Sequence, residues 1–406
     1  MSDPQVAAPA WLRRVVFVCR QIPELGGGGT AIESLSEALA AAGVSVEHVS
    51  IFPGTSPPTF PTLRIFRLGD AHRASAFREA RGPRARARGL VIVAQKRIDL
   101  RVGRWRLKRL MQTLDDRDVV VFTNVLTKMK LDESGYRPSG SAPIVIGQHH
   151  SSFDGAGTTW ERDALARHFA DADVFLALTE EDARKFQAVV PAPCKSVPNP
   201  VQRLAAVERR PRRIAVALAR YSHEKQLDLM IRAFKLATTD SLLTGWELHL
   251  YGDGDMRGEL ADLIDLESLE GRVRLMGRTD DVAAVLGSAE INLLSSRFEG
   301  FPMSVLEAAS MGVPTIAFDC SAGMRELVRE GDGVLVAQDD LDAYAAALHR
   351  MMSDPAARAA MGASARSSVQ RFQGPAVTMQ WFELLEECRQ RRQARAFQSP
   401  SIEAVP

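Results

Sequence analysis

Ser295-Ser-Arg-Phe-Glu-Gly-Phe-Pro-Met-Ser-Val-Leu-Glu-Ala-Ala-Ser-Met-Gly-Val-Pro-Thr315 is the stretch from which the fold of this chain can be read. Just before it, Glu290-Ile-Asn-Leu-Leu-Ser295 is a short, largely apolar run that fits a buried strand. Gly300 and Pro302 break that run, and Met303 to Met311 reads as a helix ended by Gly312. The order is strand, turn, helix. In an open parallel sheet the carboxyl ends of the strands carry the ligand, and a helix starting there offers unpaired N–H groups and a partial positive charge. Glu299 precedes the helix and Glu307 lies eight residues on, so two separate acceptors face one ligand region, which suits a polyol. On a solvated helix the same pair would be a surface charge pattern; the flanking Arg-Phe-Glu-Gly-Phe-Pro and Gly-Val-Pro-Thr-Ile-Ala set it apart.

Outward from this motif the chain alternates strand and helix. Val15 to Cys19, a loop Gly26 to Gly29, a helix Ala31 to Ala42 closed by Gly43, and a strand Val44 to Ile51 make a β-loop-α-β opening. Apolar runs at Leu90 to Ala94, Val119 to Phe122, Ile144 to Ile146 and Val174 to Leu178 extend the alternation as further strands. Five prolines between Pro191 and Pro211 end regular structure and mark a hinge or linker. A second α/β set follows, with strands at Ile214 to Ala219, Glu247 to Tyr251, Val273 to Met276, Ile291 to Leu294 and Thr315 to Phe318. At 406 residues the chain is too long for one ordinary core, and the pattern predicts domains over 1–200 and 201–373. Met379 to Gln393 reads as a polar amphipathic helix and Phe397 to Pro406 as a loose tail.

The motif resembles that of the retaining glycosyltransferases of family 4, the glycosyl transferases of group 1: Glu299, Gly300, Phe301 and Glu307 match it. The resemblance implies an α/β chain of the GT-B fold, two doubly wound Rossmann-like domains facing a central cleft. It further implies that Glu299 and the turn Gly300, Phe301 and Pro302 hold a donor sugar, and that Glu307 binds the ribose hydroxyls of its nucleotide. It also implies that a final helix, about 374–395, returns to the N-terminal domain, leaving 396–406 as a flexible tail.

Ala219-Arg220-Tyr-Ser-His-Glu-Lys225 follows a strand and precedes the helix Leu227 to Leu236, which puts Arg220 and Lys225 where a phosphate would be presented. Two cations there can neutralise a departing diphosphate without a metal, and the resembling family carries both with that role. The family usually has Gly on either side of this segment; here Ala219 and Gln226 stand in those places. Gly28 and Gly29, in the first βα turn, leave amides that could cradle a phosphate or admit an acceptor, or form only a flexible turn. The loop does not fit Gly-x-Gly-x-x-Gly, so no dinucleotide cofactor is expected. His149 and His150 follow the strand at Ile144 to Ile146, and the resemblance puts a histidine of this region near the reacting sugar; which of the two is open. Arg278, after Gly277, is either a wall for the nucleobase or a solvated turn residue. Asp253-Gly-Asp255 invites a metal reading, but a glycine-rich turn with Asp255 as helix cap explains it better, and no other cluster has ligand spacing. No metal is expected.

An apolar fraction of 46% and a charged fraction of 25% are those of a soluble globular protein, and a net charge of +1 offers no global argument for a charged partner such as nucleic acid. Locally the picture differs. Between Arg64 and Arg109 fifteen Lys or Arg face three Asp or Glu, an excess of +12 that favours anionic partners. Within it, Lys96 to Leu114 offers an apolar stripe of Ile98, Val102 and Trp105, which is either an interface-lying helix or a core-packed helix with a basic outer face. Cys19, Cys194, Cys320 and Cys388 lie far apart, as reduced thiols of a cytoplasmic protein would. The apolar run after Arg13 and Arg14 is too short for a signal peptide or a membrane span.

The expectation is thus a metal-independent retaining hexosyltransferase that moves a sugar from a nucleoside-diphosphate sugar, UDP-linked by preference. The acceptor would be anionic or lipid-linked material of the cell envelope, and the enzyme would be cytoplasmic, peripheral on the inner membrane face. A non-catalytic accessory subunit and an epimerase or phosphorylase of the same fold are the alternatives.

Overall fold

A computed structural model describes residues 6–23, 26–54, 57–66, 83–138, 141–157 and 159–398. The chain divides into two compact units, one formed by 1–150, 158–197 and 377–406, the other by 151–157 and 198–376.

The first unit carries a seven-stranded parallel sheet in the order β3-β2-β1-β4-β5-β6-β7. Its strands are β1 (Arg14–Gln21), β2 (Ser45–Phe52), β3 (Thr62–Arg64), β4 (Asp118–Phe122), β5 (Ile144–Gln148), β6 (Val174–Ala177) and β7 (Cys194–Ser196). Parallel strands covered on both faces need apolar residues at every position, which is why these segments read as continuous runs. Val15, Phe17, Val119, Val121, Ile146 and Leu176 are buried on one face together with Trp381 and Leu385 from the last helix, Gly374–Gln398. Trp381 meets Phe17 edge-on at 6.5 Å, and Arg392 of the same helix binds Asp173 and the carbonyls of Ala142 and Pro143, each at 2.6 Å.

The second unit repeats the plan with six parallel strands in the order β10-β9-β8-β11-β12-β13. These are β8 (Ile214–Leu218), β9 (Glu247–Tyr251), β10 (Val273–Gly277), β11 (Ile291–Leu294), β12 (Thr315–Phe318) and β13 (Gly333–Val336). Its core gathers Leu248, Leu250, Leu293, Ile316 and Phe318 with Trp246, Phe234, Tyr344 and Leu348. In both sheets the chain order reverses beside the first strand, between β1 and β4 and between β8 and β11. Loops leaving neighbouring strands diverge at such a point and open a crevice for a ligand.

Several expectations need correction. Leu90 to Ala94 is not a strand but part of the long helix Pro83–Met111; a short apolar run has no period that separates the two states. The first helix starts at Gly27 rather than Ala31, so Gly28 and Gly29 belong to its first turn instead of a loop. Asp255 is not a cap: the helix Arg257–Leu266 has Met256 at that position, with no capping side chain. The proline-rich stretch is not wholly irregular, since β7 lies inside it. The last helix runs through 396–398 of the expected tail; residues 399–406, like 67–82 of the basic band, lie outside the described residues.

Candidate functional site

Two loops meet at the switch point of the second sheet. The first leaves β8 and runs through Arg220 to Lys225; the second leaves β11 and runs through Ser295 to Pro302. Ser295 Oγ donates to the Lys225 carbonyl at 2.8 Å, and Arg297 N–H donates to the Glu224 carbonyl at 2.8 Å, so the loops are stitched along their backbones. Lys225 Nζ then lies 2.7 Å from Glu299 Oε1, and Ser296 Oγ donates to that same oxygen at 2.6 Å. Both charged side chains are mostly covered, at 19% and 14% exposure, so the attraction between them is screened less than on an open surface. Arg220 reaches outward and binds Glu224 at 2.5 Å.

The turn itself is held from beneath. Gly323, in the helix Ala322–Leu327 after β12, lies so close that a Cβ there would fall 1.8 Å from the Gly300 carbonyl oxygen. Phe301 is buried with its ring edge-on to Phe372 at 5.2 Å, and Pro302 precedes the helix Met303–Ser310, which no side chain caps. The first amides of that helix therefore remain available to a ligand. Glu307 lies in its second turn, buried, and burial pushes its carboxyl up to about 7. Its main-chain carbonyl accepts from Ser310 Oγ at 2.7 Å. Across the sheet, Arg278 follows Gly277, whose φ of 77° is one that glycine adopts freely, and its guanidinium stands 3.8 Å from Asp253. Cys320, beside this cluster, is raised to about 12 by burial and is inert as a thiol.

The other named residues belong to the first unit. Gly26, with φ 109°, leads into the helix start at Gly27; Gly28 is exposed, and a Cβ there would meet nothing within 4 Å, whereas Gly29 is buried. His149 and His150 follow β5. His149 is buried edge-on against Phe186 at 5.3 Å, and among the described residues its Nε2, like both ring nitrogens of His150, is buried without a partner. Burial lowers both imidazoles to about 4, so each is neutral at physiological pH and available as a hydrogen-bonding group, not a cation. Among the described residues no cluster of three His, Cys, Asp or Glu could hold a metal ion, and no helix is long and apolar enough to cross a membrane.

Reading residue by residue missed Ser296 and Gly323. Ser296 could have been found from its place three residues before Glu299 in a turn; Gly323 had no signal beyond a glycine after a strand.

Two parallel-sheet units, one with acidic and basic groups gathered at its switch point, define a GT-B glycosyltransferase architecture. Residues 212–354, the segment that holds the whole Arg220-to-Glu307 cluster, match the family profile of the glycosyl transferases of group 1. Over 299 residues, 70% of this chain and 30% of the relative, it is 30% identical to an exopolysaccharide phosphotransferase of Streptomyces coelicolor. Over 215 residues, 51% of this chain and 60% of the relative, it is 28% identical to a lipopolysaccharide 1,6-galactosyltransferase of Salmonella typhimurium. The chain therefore spans less than two thirds of the length of these curated relatives. Among solved structures, a mutant TarM of S. aureus in complex with Fondaparinux, alpha-GlcNAc-glycerol and UDP superimposes with a TM-score of 0.73 at 12% identity, covering 92% of this chain and 99% of that one.

Proposed function

We propose that this chain transfers a hexose, with retention of configuration, from a UDP-sugar to a polymeric or lipid-linked acceptor of the cell envelope. The observation that carries the reading is the Lys225–Glu299–Ser296 cluster beside Arg220 at the sheet's switch point. Arg220 and Lys225 take the charge of the diphosphate in place of a metal ion; Glu299 and the Gly300-Phe301-Pro302 turn hold the sugar hydroxyls; Glu307 accepts from the ribose; Arg278 flanks the base. Within the first unit, Gly28, Gly29 and His150 are the candidates for binding the acceptor. Of the two histidines His150 is the better candidate, because among the described residues both of its ring nitrogens lack a partner.

Glu299 positions and does not attack. Its Oε1 already receives Lys225 and Ser296, which spread its charge and lower its nucleophilicity. Retention then follows from front-face displacement: the acceptor hydroxyl oxygen bonds to the anomeric carbon on the side from which the diphosphate leaves. The anomeric carbon–phosphate oxygen bond breaks, and the hydroxyl proton passes to the departing diphosphate. The UDP in the TarM structure and the galactosyl transfer named for the Salmonella relative support this reading.

The test is to screen the purified chain against nucleotide sugars by thermal shift and by slow donor hydrolysis. UDP-sugars should stabilise it, and the released sugar should keep the donor's anomeric configuration by NMR. Glu299→Gln should retain UDP stabilisation while turnover falls by roughly 10²-fold or more. No response to any nucleotide sugar would overturn the enzyme reading.

A further inference from the structure

The helix Pro83–Met111 is apolar on two opposite sides. One side is anchored: Leu107 and Met111 are fully buried, and Gly103 lies against the Phe66 ring so closely that a Cβ would come within 2.1 Å of it. These three positions, four residues apart, share one face of the helix and fix its rotation. Ile98, Val102 and Trp105 then fall on the opposite face, and they are 61%, 37% and 59% exposed. A core-packed helix with a merely basic outer face would not present an isoleucine, a valine and an indole to water in one row. The cations lie along this row. Arg97, Arg101 and Arg109 are exposed, and the Arg109 guanidinium stands 5.5 Å from the centre of the Trp105 ring.

We infer that this outer face docks on an anionic lipid bilayer. A soluble polyanion would use the arginines and gain little from the apolar row, whereas a bilayer interface uses both: phosphate headgroups for the guanidinium groups, the acyl boundary for Ile98 and Val102, and the interfacial layer for the indole. The helix itself carries ten Lys or Arg against one Asp, which supplies the charge complementarity that selects an anionic surface. The inference stands on the helix alone and does not depend on the glycosyl-transfer reading.

The experiment is co-sedimentation of the full chain with phosphatidylcholine vesicles, with and without about 30% phosphatidylglycerol, at low and high salt. Binding is expected only to the anionic vesicles and should fade with salt. Ile98→Ser combined with Val102→Ser and Trp105→Ser should lower binding by about tenfold or more, with circular dichroism and melting temperature unchanged because the three side chains face solvent. Trp105→Phe should keep most of the binding but lose the emission blue shift that anionic vesicles induce. Equal binding to neutral vesicles, no binding to either kind, or full binding by the triple variant would each overturn the inference. So would a wild-type dimer in analytical ultracentrifugation that the triple variant abolishes, since the row would then be covered by a second copy.

Discussion

Glu307 shows what spacing reveals about a residue and what it hides. Its place eight residues after Glu299 is visible in the sequence, but its burial comes from the packing of the helix Met303–Ser310 and is not. That burial raises the carboxyl to about 7, above the ordinary range for a free glutamate. A group raised in the folded state stabilises fully below its unfolded pKa, and the contribution is lost as pH rises through the folded value. Glu307 should therefore favour the free protein at acid pH. Accepting from ribose hydroxyls favours the charged form, so UDP affinity should increase between about pH 6 and pH 8. Calorimetric titration across that range checks this, and Glu307→Gln should flatten the profile; an unchanged slope in the variant would remove Glu307 from the ribose. The pairing of Lys225 with Glu299, 74 residues apart, was likewise invisible in sequence, which identifies each as a candidate but not as the other's partner.

Among elements, the turn Glu299 to Pro302 depends on a neighbour. Gly323 belongs to the next βα connection, and only the absence of a side chain lets its helix lie against the Gly300 carbonyl. Gly323→Ala should displace the turn by a sizeable fraction of an ångström and lower kcat/KM for the donor by about 10²-fold. Steady-state kinetics beside a melting curve would distinguish misplacement from unfolding: a variant with wild-type kinetics would show that the turn is held by other contacts. Strand positions were legible because buried parallel strands are apolar throughout, and β9, β11 and β12 coincide with their expected ranges. The three-residue strands β3 and β7 escaped notice because so short a segment carries no period, and Leu90 to Ala94 was misread for the same reason.

For the molecule as a whole, the two units are not two consecutive lengths of chain. The residues from 377 to 398 pack with the first unit, where Trp381 is fully buried among β1 residues and Arg392 binds Asp173. Trp381→Ala should destabilise this unit by about 3–5 kcal/mol through lost burial and a residual cavity. Denaturant unfolding followed by probes in each unit would show the early transition there, and a change below about 1 kcal/mol would mean the helix is dispensable to that core.

By itself the sequence determined the class: alternating apolar runs impose two doubly wound sheets, and the Glu299-to-Glu307 spacing marks a strand end where a helix begins. Both are properties of local order along the chain, set by periodicity and backbone sterics. Only the tertiary structure decided which groups act together. Lys225 meets Glu299 because β8 and β11 are neighbours in a sheet though far apart in sequence, and Glu307 holds its proton more tightly because burial removes it from water. Ile98, Val102 and Trp105 face solvent because Gly103, Leu107 and Met111 claim the core. Pairing, desolvation and exposure are relations between distant segments, so they exist only once the chain has folded.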